Sequence, residues 1–104
     1  MKTIYALIWC CPDEVFSQEE FDSRIPRFME WLRSLQSGGH LVACGGGGFE
    51  TAAGGLTLIQ AESIEQATEL ASGTPMNEIG TTEIFIWDIF YANLVHTENI
   101  GKLQ

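Results

Sequence analysis

Residues 2–11 (KTIYALIWCC) are apolar on both alternating rows. Thr3, Tyr5, Leu7 and Trp9 fall on one side; Ile4, Ala6, Ile8 and Cys10 fall on the other. Successive side chains of a strand point to opposite faces, so a strand of this kind has to be covered on both. Residues 82–96 read the same way and predict the longest strand of the chain. Cys11-Pro12-Asp13 ends the first run, because proline has no N–H to give to a ladder.

Two helices are available as cover. Ser17-Gln18-Glu19-Glu20 has the form of a capping box, serine at the N-cap and glutamate three residues later. Phe21, Ile25, Phe28, Leu32 and Leu35 then form one stripe at helical spacing, which predicts a helix to about Ser37. Pro26 lies inside it and predicts a kink or restart, since it removes the bond to the carbonyl of Asp22. Gly38-Gly39 supplies the C-cap. Ser63-Ile64-Glu65-Gln66 is a second capping box, with Ile64, Ala67, Leu70 and Ala71 turned inward and Ser72-Gly73-Thr74-Pro75 as the stop. Residues 40–44 and 54–61 read as strands joined through a glycine-rich connection, and residues 97–104 as a loose tail.

The order strand, helix, strand, strand, helix, strand predicts an α+β, ferredoxin-like βαββαβ fold with a four-stranded antiparallel sheet. Each helix joins two strands that lie parallel through a right-handed crossover. A chain of 104 residues has room for one such domain, taken as 1–104. Two helices cover one face of a four-stranded sheet, yet the first and last strands are apolar on both. The uncovered face would leave a patch of well over a few hundred Å² in water. A homodimer through the open sheet face, with closed symmetry, is therefore expected.

Five basic residues stand against fourteen acidic ones, a net charge of −9. Phosphate contact needs clustered Lys and Arg, so no nucleic-acid partner is expected, and no anionic membrane surface. No apolar run reaches the ~18 residues of a spanning helix. No small-residue cleavage site follows the N-terminal apolar run, where PDEVFSQEE comes instead, so no secretory signal is expected. The cysteines, at 10, 11 and 44, are odd in number and suit free thiols in a reducing cytoplasm. Cys10 and Cys11 point to opposite faces, and the spacing from His40 to Cys44 is poor for zinc, so no metal is expected.

The stretch CGGGGFETAAGGLTLI places six glycines between positions 45 and 55. No Gly-Lys-Ser/Thr is present, and a strand rather than a helix follows, so it is read as a hairpin connection and not a phosphate loop. Gly45 to Gly48 could let a ligand or backbone approach closely, with Gly47 and Phe49 as the candidate ligand contacts. Asp88 sits, on the predicted last strand, among Ile84, Ile86, Phe90 and Leu94, where a carboxylate needs a partner or a wet cleft. Its candidate cations are Arg24, Arg27 and Arg33; the first two flank Pro26 and are placed to reach a cleft, while Arg33 suits a solvated face. Trp87 beside it would add an apolar wall, the pattern of a small organic ligand site with one polar anchor. His40 and Glu83 are weaker candidates for acid–base work. A small lyase or hydrolase with Asp88 or Glu83 as base and His40 as helper, and an accessory module without chemistry, stand beside ligand binding as readings. No cofactor is expected.

Two longer stretches, FMEWLRSLQSGGHLVACGG and GGLTLIQAESIEQATELASGTPMNEIGTTEIFIWDI, resemble the YCII-related family of the dimeric α+β barrel group. GGFET followed by GGLTLI is similar to the branch with an Asp-Gly-Pro-Phe motif; Gly47-Gly48-Phe49 stands there without the Asp or the Pro. The resemblance implies a ferredoxin-like subunit whose dimer pairs sheets face to face. It also implies an acid–base pair, proposed for some members that resemble small lyases or dehydrochlorinases: a His on the first helix and an Asp before the proline that follows the second. Met29 and Thr74 occupy those positions here. Neither does acid–base work near neutral pH, so enzyme activity of the family type is left open by the resemblance.

Overall fold

A computed structural model describes residues 2–93 of the chain. The elements follow in the order β1 (Thr3–Pro12), α1 (Gln18–Ser37), β2 (Leu41–Phe49), β3 (Ala52–Ala61), α2 (Ile64–Ala71), a short 3-10 turn (Pro75–Glu78) and β4 (Thr81–Ile86). The sheet order is β2-β3-β1-β4, with every neighbouring pair antiparallel. This is the ferredoxin-like α+β arrangement expected from the sequence.

Both helices lie on one face. There Tyr5, Leu7, Ile59 and Ala61 of the sheet bury against Leu32, Leu35, Ala67 and Ala71. A second apolar cluster, Trp9, Cys11 and Met76, closes the other end, with Phe16, Phe21 and Ile25 packed against it. Ser17 caps α1 as expected: its Oγ accepts from the backbone N–H of Glu20 at 3.2 Å. The Glu20 carboxylate instead takes Arg24, so the reciprocal half of the box is replaced by an i,i+4 ion pair at 2.7 Å. The C-terminus of α1 forms a Schellman motif. Gly39, at φ +77, gives its N–H to Gln36, and His40 gives its N–H to Leu35 at 2.8 Å.

Three expectations need correction. Pro26 does not break α1, which runs without interruption from Gln18 to Ser37. Pro26 is on the exposed side, so the carbonyl of Asp22 that lost its bond is open to water, while Phe21, Ile25 and Phe28 hold the inner side against the sheet. The glycine-rich stretch is not a loop: residues 45–48 belong to β2, Gly54 and Gly55 to β3, and Glu50-Thr51 make the turn.

The last strand ends at Ile86 rather than continuing to 96. β4 is an edge strand whose one partner, β1, starts at Thr3; Tyr5 pairs with Ile86, and the N–H of Trp87 gives one last bond to the carbonyl of Ile4, at 2.9 Å. Beyond that the ladder has no partner. Phe90 and Tyr91 stand 97% and 80% exposed. Leu94, His96 and the tail 97–104 lie outside the described residues.

Candidate ligand-binding site

The sheet's pairing sets the floor of a cleft under α1. β2 carries a bulge between Leu41 and Ala43, which breaks its alternation. After the bulge Cys44 and Gly46 turn to the helix side, joining Leu41, and the alternation that would have set Cys44 on the face of His40 is lost. Across the sheet, Gly46, Gly55, Trp9 and Thr82 then stand side by side, with Cys44, Thr57, Leu7 and Ile84 in the next row. Two side-chain-free positions in one row, next to a tryptophan, leave a gap between α1 and the sheet.

That gap is a cleft of about 450 Å³. Phe21, Phe28, Met29, Trp31 and Leu32 of α1 form its roof, Leu7, Trp9, Gly46, Gly55 and Thr57 its floor, and Thr74, Met76 and Thr82 one end. The rings are fixed. Trp9 Nε1 donates to the carbonyl of Met76 at 2.8 Å, and Trp31 Nε1 donates to the carbonyl of Leu70 at 2.9 Å. Trp9 meets Phe21 with ring centroids 5.8 Å apart, and Phe28 meets Trp31 at 5.7 Å.

Among the described residues the lining carries no charged side chain. Its polar side chains are Cys44, Thr57, Thr74 and Thr82, all hydrogen-bonded within the protein. Cys44 Sγ and Thr57 Oγ1 are 3.3 Å apart, Thr74 Oγ1 accepts from the N–H of Met76, and Thr82 Oγ1 donates to Asn77 Oδ1 at 2.6 Å. Burial pushes the Cys44 thiol above its ordinary value, with the Thr57 contact opposing part of that effect. It therefore stays a neutral thiol near neutral pH, unsuited to act as a nucleophile.

The sequence-predicted site residues divide. Met29, a candidate ligand contact, lines the cleft, as does Thr74, the position where the resemblance implied an acid. Arg24 and Arg27 do not: both turn to Glu78, with Arg24 Nε–Oε1 at 2.9 Å and Arg27 Nη2–Oε1 at 2.6 Å. Asp88 and Trp87 lie exposed beyond β4, away from the cleft, because the strand that would have set Asp88 on an apolar face ends first. Gly47 and Phe49 face the opposite side of the sheet, with Phe49 over Gly54. Glu83 is on that side too, opposite Ile8. His40 lies outside the lining, its Nδ1 donating to the carbonyl of Gln60 at 2.9 Å. Missed from the sequence were Trp9, Trp31 and Gly55, and Gly46 was named only within the run 45–48; the run of glycines was the signal, but its facing depended on the bulge.

A family model described as the YCII-related domain matches residues 4–89, from β1 to just past β4. The chain belongs to the YCII-related family. No curated protein matches it. In this YCII-related domain, the two positions where the family resemblance implied an acid–base pair are both in the cleft and both lack an acid or base.

One end of the cleft depends on an ion-pair cluster. Glu78 ties the 3-10 turn that carries Thr74 and Met76 to α1. The Arg24 hydrogen bond is the main cause that holds its carboxyl below the ordinary glutamate range. A carboxyl with a depressed folded value adds stability that is complete above its unfolded range and is lost as pH falls through the folded value. Urea midpoints measured from neutral pH downward are therefore expected to fall more steeply for the native chain than for Glu78→Gln. The two curves should converge in acid, and 1 M salt should shrink the gap. Parallel curves would remove Glu78 from the acid response.

Proposed function

We propose that this YCII-related protein is a homodimer that binds a small organic ligand in the cleft between α1 and the sheet. The observation that carries the reading is the cleft itself: about 450 Å³, walled by aromatic and aliphatic groups, with a few neutral polar side chains. Binding is favoured over a lyase or hydrolase reaction because no carboxylate and no histidine lines that space in the described chain. Thermal-shift screening of the full chain against small organic metabolites is the test. At least one compound should raise the melting temperature, with chemical-shift changes centred on Met29 and Trp31. Shifts confined to other surfaces would overturn the assignment.

The dimer reading rests on the sheet face away from the helices. Ile4, Ala6 and Ile8 of β1, Leu56 and Leu58 of β3, Phe49 of β2 and Phe85 of β4 share that face. Phe49, Leu56 and Phe85 are 57%, 44% and 48% exposed in the single chain. These three exposed groups lie around Ala6 and Leu58, each 8% exposed in the single chain, and an apolar face of this kind suits a second copy that brings the same groups, related by a two-fold axis. Sedimentation at micromolar concentration is expected to give a dimer, and Leu56→Glu or Phe85→Glu a folded monomer; a monomeric native chain would overturn it. The three cysteines are all free thiols, which favours a reducing compartment such as the cytoplasm. Kinship with the branch named for its Asp-Gly-Pro-Phe motif rests on GGFET and GGLTLI, which lie in and around the β2–β3 hairpin.

A further inference from the structure

The same cleft holds more information about its occupant than its size does. We infer that the ligand is a neutral, flat, ring-sized molecule that lies on the bare backbone of Gly46 and Gly55 beneath Met29 and Trp31. This refines the ligand-binding reading above and depends on it.

The charge of the ligand follows from the lining. Among the described residues no cation lines the cleft to pair with an anion, and the protein as a whole carries −9. An anion would lose its hydration among aromatic walls without compensation, and the field of the protein would oppose it further. A cation would find no carboxylate among the described lining residues. The indole N–H groups of Trp9 and Trp31 are both given to backbone carbonyls, so the rings present carbon to the cleft. The remaining hydrogen-bonding capacity belongs to threonine hydroxyls, which can serve a single hydroxyl or amine on a neutral molecule.

The flat shape follows from the floor. A Cβ built on Gly46 meets nothing within 4 Å, and one built on Gly55 meets the carbonyl of Gly45 at 3.5 Å, an ordinary contact. Neither position has a positive φ. Folding of the chain therefore does not require glycine at either place, and glycine inside a strand is less stable than a residue with a side chain. Gly45 and Gly47 are equally unobstructed but face the other side of the sheet; at Gly46 and Gly55 the missing side chains open onto the cleft, and there a local rule broken with no folding reason is the mark expected of a binding position. What the two glycines provide is a strip of peptide planes beside the fixed ring of Trp9, one strand spacing across. A planar ring can lie on such a strip; a puckered ring of the same size would stand off from it.

Three matched probes separate these properties: 1-naphthol (neutral, planar), 1-naphthoate (planar, anionic) and decahydro-1-naphthol (neutral, puckered). Titration calorimetry on the full chain at neutral pH is expected to give 1-naphthol a Kd about ten-fold or more below the other two. Gly46→Val should weaken 1-naphthol by about ten-fold or more while its melting temperature stays level or rises. Equal binding of naphthoate or the puckered alcohol, still lost in Gly46→Val, would overturn the ligand class and leave the cleft as a binding site. Naphthol binding unaffected by Gly46→Val, or no binding by any probe, would overturn the class and its seat on the glycines. Nuclear Overhauser contacts from residues 94–104 or from a second chain into Met29 and Trp31, in the protein without probe, would assign the cleft to protein and overturn both readings.

Discussion

Ile59→Ala is expected to destabilise the fold by about 2–5 kcal/mol, toward the upper end of that range. Ile59 is 0% exposed near the C-terminal end of β3, an interior strand, between Tyr5 of β1 and Leu41 of β2. The substitution removes three carbons from a position whose neighbours on α2, Ala67 and Ala71, are already small and cannot extend into the hole. Cavities that the surroundings cannot fill are the expensive ones. Urea unfolding at one fixed protein concentration should show a lower midpoint with an unchanged slope, and the melting temperature should drop by roughly 8 °C or more. Val15→Ala, at a position 69% exposed and off both the core and the dimer face, serves as the control. A loss no larger than that of Val15→Ala would show that α2 is not packed over Ile59 as described.

Gly80→Ala is expected to cost about 1–3 kcal/mol or more, although it adds a single methyl group. The new Cβ would fall against Trp9 Nε1, 2.6 Å from Trp9 Cε2 and 2.7 Å from the carbonyl oxygen of Cys10. Neither neighbour can give way cheaply. The indole is held by its bond to the carbonyl of Met76, and the Cys10 carbonyl is backbone where β1 pairs with β4. Moving Trp9 would also deform the cleft wall, so probe affinity should fall together with stability. Gly46→Ala provides the opposite case, since its Cβ meets nothing and the variant should be at least as stable as the native chain. Equal melting temperatures for the two alanine variants would mean that Trp9 is not anchored.

The contrast between these glycines shows why the glycine-rich segment was hard to interpret as text. Gly39 is needed for its positive φ, Gly80 for the ring packed against it, and Gly46 for nothing within the folded chain. All three look alike in a sequence. The same holds for the arginines: helical spacing put Arg24 and Arg27 near Pro26, but their choice of Glu78 over Asp88 depended on where the 3-10 turn came to rest.

Local signals were enough for the element order. Alternating apolar rows, the serines that cap α1 and α2, and the glycines after Ser37 are short-range features whose physics acts within a few residues. They also led to the expectation that the helices leave one sheet face to a partner, because coverage is a matter of counting helices against strands. The site was not accessible in this way. The length of β4 was limited by the start of β1, more than eighty residues away in the chain, and this left Asp88 outside the sheet. The bulge at Leu41/Ala43 decided which glycines face α1. A cleft is made of coincidences between strands, and register is a long-range property that no single stretch of sequence carries.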